Sequence, residues 1–233
     1  MSAFALKIIA IATMLIDHCG HAFHRYMPQE MYILCKFVGR LAMPLFCFLL
    51  AEGLLKTKNV KKYLGRILGF AIISEVPFDL FLNRRPWAPE AQNVMFTLFL
   101  GLLGIMLFDL FAARNRRFPA LLSILGCGLA ASVLQTDYSI FGVYFIFVFY
   151  FARGNIRLLT LTFAAGVLLL AASQYFLDGN PTFALLTLME MGALPMIFRY
   201  NGERGYTKKW FQWAFYAFYP AHLLILYVLR ELL

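Results

Sequence analysis

The chain has 233 residues, of which 62% are hydrophobic and 14% charged, and its mean hydropathy is +0.72. This composition excludes an ordinary soluble domain and a disordered chain, and it assigns the protein to a membrane. The net charge of +9 has no separate basic domain behind it, so it reflects membrane topology and contact with anionic lipid, not nucleic-acid binding.

Apolar runs of about 20 residues can cross about 30 Å of hydrocarbon as helices. Nine such segments can be drawn, with eight as the fallback: 4 to 23, 31 to 55, 61 to 82, 93 to 113, 118 to 135, 138 to 153, 156 to 177, 181 to 200 and 209 to 230, the sixth being the shortest. The stretch from Phe96 to Leu103 does not alternate as a barrel strand must, so the predicted fold is an all-α bundle. No linker, repeat or low-complexity tract interrupts it, which predicts one integral-membrane domain over 1–233. The first segment carries Lys7 and Asp17 and leads into His21, not into a small-residue cleavage site, so it is expected to stay in the mature protein.

The first segment ends in Asp17-His18-Cys19-Gly20-His21, an acid and two imidazoles at membrane depth. Ionisable groups there are costly and mark relays, substrate paths or catalysis. Asp17 and His21 are four residues apart, and a carboxylate beside an imidazole fixes its tautomer and raises its basicity. A helix-end cap is the plainer alternative. A metal site from His18, His21 and His24 is disfavoured, because their spacing swings across helix faces and no carboxylate cluster accompanies them.

The second segment carries Lys36, Arg40, Met43 and Cys47 on one face, with Glu52 toward its far end. Pro44 has no N–H for the Arg40 carbonyl, which predicts a bend and a polar niche near mid-membrane. Arg40 can serve chemistry there or form an internal ion pair with Asp17, Asp79 or Glu190. Segment three ends Ser74-Glu75-Val76-Pro77-Phe78-Asp79 and segment four opens Gln92-Asn93, so polar groups crowd the same half as Asp17. In segment nine, Pro220 precedes His222, which either transfers protons or makes a helix–helix hydrogen bond.

Cytoplasmic loops carry an excess of Lys and Arg. With the N-terminus inside, Lys7, Lys56, Lys58, Lys61, Lys62, Arg66, Arg114, Arg116, Arg117, Arg153, Arg157, Arg199, Arg204, Lys208 and Lys209 are cytoplasmic, fifteen of 21. Arg25, Arg84, Arg85 and Arg230 remain outside, and Lys36 and Arg40 fall within the second segment. The loop from Lys56 to Tyr63 with Arg66, and the turn from Asn201 to Gly205, are strongly cationic. They can be products of this sorting alone or an anion site for phosphates. The cysteines at 19, 35, 47 and 127 follow no zinc spacing. Cys19 and Cys35 can pair across the first two helices, although packing is the favoured role.

The stretch from Leu6 to Gly20, Gly39-Arg40-Leu41-Ala42-Met43-Pro44-Leu45-Phe46, Glu52-Gly53, Thr57, Asn59 and Lys62-Tyr63 together resemble the TraX family. The likeness continues through Ser74 to Asp79, Asn93 with Phe96-Thr97-Leu98, Asp137-Tyr138 with Gly142, Tyr200-Asn201-Gly202 and Phe218-Tyr219-Pro220-Ala221-His222, almost the whole chain in order. His21 and His24 lie outside the matching motifs. The family is named for the conjugation protein that N-acetylates the amino terminus of pilin, and it is similar to the wider class of transmembrane acyltransferases that includes lysosomal heparan-α-glucosaminide N-acetyltransferase.

The resemblance implies acetyl transfer from cytoplasmic acetyl-CoA to an acceptor approaching from the other side of a bacterial inner membrane, with no metal. Asp17, His18, Arg40 and His222 would be catalytic. Glu52, Thr57, Lys58, Asn59, Lys62, Tyr63, Arg66, Asn201, Arg204 and Tyr219, with Arg40, would hold acetyl-CoA. His21, Glu75, Asp79, Asn93, Asp137 and Tyr138 would face the acceptor, which can be a peptide N-terminus, a glycan or a small amine. An attacking amine must be neutral, so a general base is the minimum requirement, and Arg40 can stabilise the oxyanion. Direct transfer and an acetyl-imidazole route both fit. A proton-coupled carrier using the same groups is the alternative, although no internal repeat is visible, and a scaffold or homo-oligomer stays open.

Overall fold

A computed structural model of the chain describes residues 1–177, 179–206 and 208–233, without the side chain of Lys209, whose place in the charge count therefore lies outside the described residues. Eleven α-helices and two 3₁₀ turns form nine rods among the described residues, and no strand beyond an isolated bridge. They are α1 (Ala3–Phe23), the broken pair α2 (Gln29–Gly39) and α3 (Ala42–Lys56), α4 (Val60–Asn83), α5 (Val94–Ala113), α6 (Arg117–Val133), α7 (Ser139–Phe151), α8 (Ile156–Phe176), the broken pair α9 (Pro181–Thr187) and α10 (Leu194–Phe198), and α11 (Lys209–Leu232). The rods coincide with the nine apolar segments. Six are long and apolar enough to cross a membrane, counting each broken pair as one, and the protein is a multi-pass membrane protein.

The other three rods miss that description for separate reasons. Helix α4 has 24 residues but carries Lys61, Lys62, Arg66, Glu75 and Asp79. Helices α6 and α7 are short, and the 13 residues of α7 reach only about 20 Å. Val143 and Phe145 to Phe149 are all buried, so α7 is apolar all round because it is wrapped by protein rather than lipid.

The second segment is not one bent helix but two. The break falls at Arg40 and Leu41, one turn before Pro44, where the missing N–H leaves the Arg40 carbonyl without its helical donor. Side chains cap the starts of α1, α4, α5 and α8: Ser2 accepts from Ala5 N at 3.3 Å, Asn59 from Lys62 N at 2.9 Å, Asn93 from Met95 N at 3.0 Å and Asn155 from Leu158 N at 3.0 Å.

Helix α11 packs on α4 and α1, α3 on α1 and α7, and α5 on α4, α6 and α7. The N-terminal residues dock on the 199–204 turn, with Ala3 N donating to Glu203 O at 2.8 Å and Phe4 N to Arg204 O at 3.1 Å. At the opposite end Arg230 Nη1 donates to Phe81 O at 2.7 Å, beside an Arg84–Glu231 ion pair at 3.4 Å. The two termini therefore lie at opposite ends of the bundle, with the cationic turns gathered at the N-terminal end.

Candidate active site

Two cavities run into the bundle from its two ends. The first, of about 410 Å³, opens at the N-terminal end and is lined by Lys7, Lys56, Lys58, Arg66 and Arg204 against one acid, Glu52. That acid is already paired, at 3.2 Å from Lys56 Nζ. Lys56 also donates to Tyr200 Oη and the Gly202 carbonyl, and Arg204 donates to the Lys56 carbonyl, so these two cations tie the 199–204 turn to α3.

Lys7 and Arg66 are differently placed. Among the described residues neither forms an ion pair. Lys7 Nζ lies 5.1 Å from the centre of the Phe215 ring, and the Arg66 guanidinium lies 5.7 Å and 5.9 Å from the rings of Tyr63 and Tyr216. Aromatic faces attract a cation weakly and leave its hydrogen-bonding edge open. Arg66 Nε is buried without a partner, and the arrangement is electrostatically suited to a multiply charged anion.

Of the residues expected to hold a nucleotide donor, Glu52, Thr57, Lys58, Tyr63, Arg66, Arg204 and Tyr219 line this cavity. Three others are placed outside it. Asn59 and the Lys62 backbone close the first turn of α4, and Asn201 folds its own turn, accepting from Glu203 N at 3.2 Å. Arg40 belongs to the other cavity. Lys7 was read from sequence only as a topology marker, although a lysine inside the first apolar run carries the same signal that singled out Asp17.

The second cavity, of about 210 Å³, is lined by Asp17, His18, Lys36, Arg40, Asp137 and Tyr138. Asp17 does not bond an imidazole or Arg40; its Oδ2 accepts from Lys36 Nζ at 3.0 Å. This corrects the expected Asp–His pair, and the cause is close packing. A side chain at Gly39 would collide with Asp17, so the glycine lets α2 approach α1 until Lys36 reaches the carboxylate. Lys36, only 8% exposed, is a site residue that a helical-face argument placed correctly but did not single out.

His18 is held instead by His222. His18 Nδ1 lies 2.7 Å from His222 Nε2, the rings nearly parallel, and His222 Nδ1 lies 2.7 Å from the Phe218 carbonyl. A carbonyl only accepts, so His222 Nδ1 carries hydrogen, and in the neutral ring its Nε2 must accept. His18 Nδ1 is therefore the donor, which leaves the lone pair on His18 Nε2 free to accept a proton. His222 is buried and acts on His18 rather than on the cavity.

Arg40 Nη1 donates to Tyr138 Oη at 3.4 Å. Asp137 and Tyr138 reach the cavity through the 134–138 turn. That turn is pinned to the start of α5 by Gln92 N to Gln135 O at 3.1 Å, Asp137 N to Gln92 O at 2.9 Å and Thr97 Oγ1 to Thr136 Oγ1 at 2.9 Å. Asp137 is densely surrounded by protein yet accessible from the cavity it lines, and this desolvation raises its carboxyl pKa against the opposing pull of Arg40.

Glu75, Asp79 and Asn93, expected on the acceptor side, lie off both cavities. Asn93 Nδ2 donates to the Ala71 carbonyl at 2.8 Å and to Glu75, and Asp79 accepts from Ala88 N at 2.8 Å. These groups cap α5 and tie the 84–93 connection to α4. His21 is also outside, packed 5.2 Å from the Phe81 ring, with its carbonyl 2.9 Å from His24 Nδ1. All four cysteines are free, and Cys35 packs closely over Gly20.

Met14, Phe46, Val94 and Tyr219 line both cavities. The cationic chamber and the His18 chamber therefore adjoin at these four side chains, which form the neck between them. A 34% identical relative, the probable fimbrial assembly protein FimC, serogroup H1, of Dichelobacter nodosus, aligns over 97% of this chain and 94% of its own length. No solved structure matches the chain. The description "TraX protein" matches residues 2–230, and the protein belongs to the TraX family.

Proposed function

We propose that this protein is a membrane-embedded acetyltransferase of the bacterial inner membrane, moving an acetyl group from cytoplasmic acetyl-CoA to an amine or hydroxyl reached from the opposite side. The observation that carries it is the pair of cavities meeting at one neck, cationic at the end rich in Lys and Arg and bearing His18 at the other. Lys7 and Arg66, which form no ion pair among the described residues, suit the donor's phosphates, and the rings of Tyr206, Phe211 and Phe215 offer faces to its adenine. The family membership and the relative's name support a fimbrial or pilin-like subunit N-terminus as acceptor, with glycans and small amines as the other classes.

In this reaction His18 Nε2 takes a proton as the acceptor nitrogen or oxygen attacks the thioester carbonyl. The new C–N or C–O bond forms, the C–S bond breaks, and the proton passes from His18 to the departing thiolate. His222 supports the base by accepting from its Nδ1–H, and the Phe218 carbonyl holds His222 in that role. Arg40, turned toward the same chamber beside Tyr138, can stabilise the developing oxyanion.

Detergent-purified protein incubated with acetyl-labelled acetyl-CoA tests this. Bound donor with acetyl transfer to a peptide amine, or slow hydrolysis, is expected; absence of binding at millimolar concentration refutes it. The adjoining cavities also suit a proton-coupled carrier. Flux into proteoliposomes that depends on pH, is lost in His18→Ala and occurs without acyl transfer would favour the carrier.

A further inference from the structure

Across the neck the lining changes character. On the cationic side it is walled by Ile11, Leu49, Met95 and Leu98, and beyond it stand Asp17, Lys36, Arg40 and Asp137. Met14 and Tyr219 are 8% and 6% exposed, so their side chains are held by packing and cannot swing aside freely. We infer that Met14, Phe46, Val94 and Tyr219 form a gate that restricts the transferred acyl group to two carbons. This rests on the acyltransferase reading of the same site.

For an acceptor nucleophile to lose its proton to His18 while attacking the thioester, the carbonyl carbon must lie at the neck, close to the His18 chamber. The acyl chain then extends from that carbon into confined space. An acetyl methyl fits against the neck side chains. Each further methylene must push into them or enter a chamber lined by four charged side chains, where apolar surface gains nothing by leaving water. One methylene in a close-fitting pocket changes kcat/KM by about 10- to 200-fold, so the restriction is a large effect from four side chains. Met14 is the principal element because its long, unbranched side chain is buried at the neck and has no helix-starting role. Val94 begins α5 and is the smaller wall.

The test compares kcat/KM for acetyl-, propionyl- and butyryl-CoA with one peptide amine as acceptor, in the full-length protein and in Met14→Ala and Val94→Ala. The unaltered protein is expected to prefer acetyl over propionyl by at least about tenfold. Met14→Ala should bring propionyl to parity with acetyl and make butyryl measurable, and Val94→Ala should shift the ratio in the same direction. Acetyl transfer with an unchanged chain-length ratio in every folded variant overturns the gate and leaves the acetyltransferase intact. No transfer from any of the three donors by the unaltered protein overturns both. If Met14→Ala does not fold, Val94→Ala decides the same question through the same ratio.

Discussion

Replacing His222 by alanine removes the only acceptor for His18 Nδ1–H among the described residues, a bond of 2.7 Å. A buried donor left without its partner costs about 1–3 kcal/mol. If that energy is what keeps the lone pair on His18 Nε2 and the ring aimed at the cavity, acyl transfer falls by about 5- to 150-fold at 1.4 kcal/mol per tenfold. The loss should appear in kcat, with the KM for acetyl-CoA little changed, because His222 does not line the cationic chamber. His222 is also 4% exposed and stacks 4.7 Å from Phe218, so alanine leaves a void and lowers thermal stability. His222→Gln separates the two effects, since a glutamine carbonyl can accept where Nε2 does. Transfer assays with labelled acetyl-CoA, alongside unfolding of each variant in detergent, should find glutamine recovering most of the alanine loss. A folded His222→Ala protein with full kcat, or a folded His222→Gln protein as slow as alanine, would refute the relay.

Arg66→Ala should raise the KM for acetyl-CoA by about 10- to 150-fold, the worth of a charge-assisted contact of about 1.5–3 kcal/mol, with kcat unchanged and a flatter salt dependence; steady-state kinetics at two ionic strengths check this. Asn93→Ala should cost about 2–4 kcal/mol, because it removes the α5 cap and strands Glu75, and it should lower the midpoint of thermal unfolding while leaving acetyl-CoA affinity intact. Lys36→Met should destabilise by about 2–4 kcal/mol, since Asp17 keeps its charge at a site only a quarter accessible. The double variant Asp17→Asn with Lys36→Met should recover most of that loss, and a double variant less stable than the single one would show that the pair is not coupled.

The apolar lengths and a disturbance of the second segment near Pro44 were readable along the chain, because membrane thickness and proline's missing N–H are local constraints; that the disturbance is a full break, and that asparagines cap α4, α5 and α8, emerged only in the fold. The cost of charge in hydrocarbon likewise singled out Asp17, His18, Arg40 and His222 without any knowledge of partners. Which of them meet was decided elsewhere. Asp17 and His18 are adjacent in sequence, and a carboxylate next to an imidazole suggests a pair, yet successive residues point to different faces of a helix. Only the close crossing at Gly39 hands Asp17 to Lys36, and only the approach of α11 to α1 hands His18 to a residue 204 positions away. Glu75, Asp79 and Asn93 show the converse: polar groups in one half of the bundle need not line a cavity, because the backbone at helix ends also requires partners. The sequence by itself determined a helical membrane protein with its cations gathered at one end and its acids and imidazoles toward the other. The tertiary structure decided that these become two chambers joined at Met14, Phe46, Val94 and Tyr219, because a path through a bundle depends on which helix faces fail to fill the space between them, and no local pattern records that.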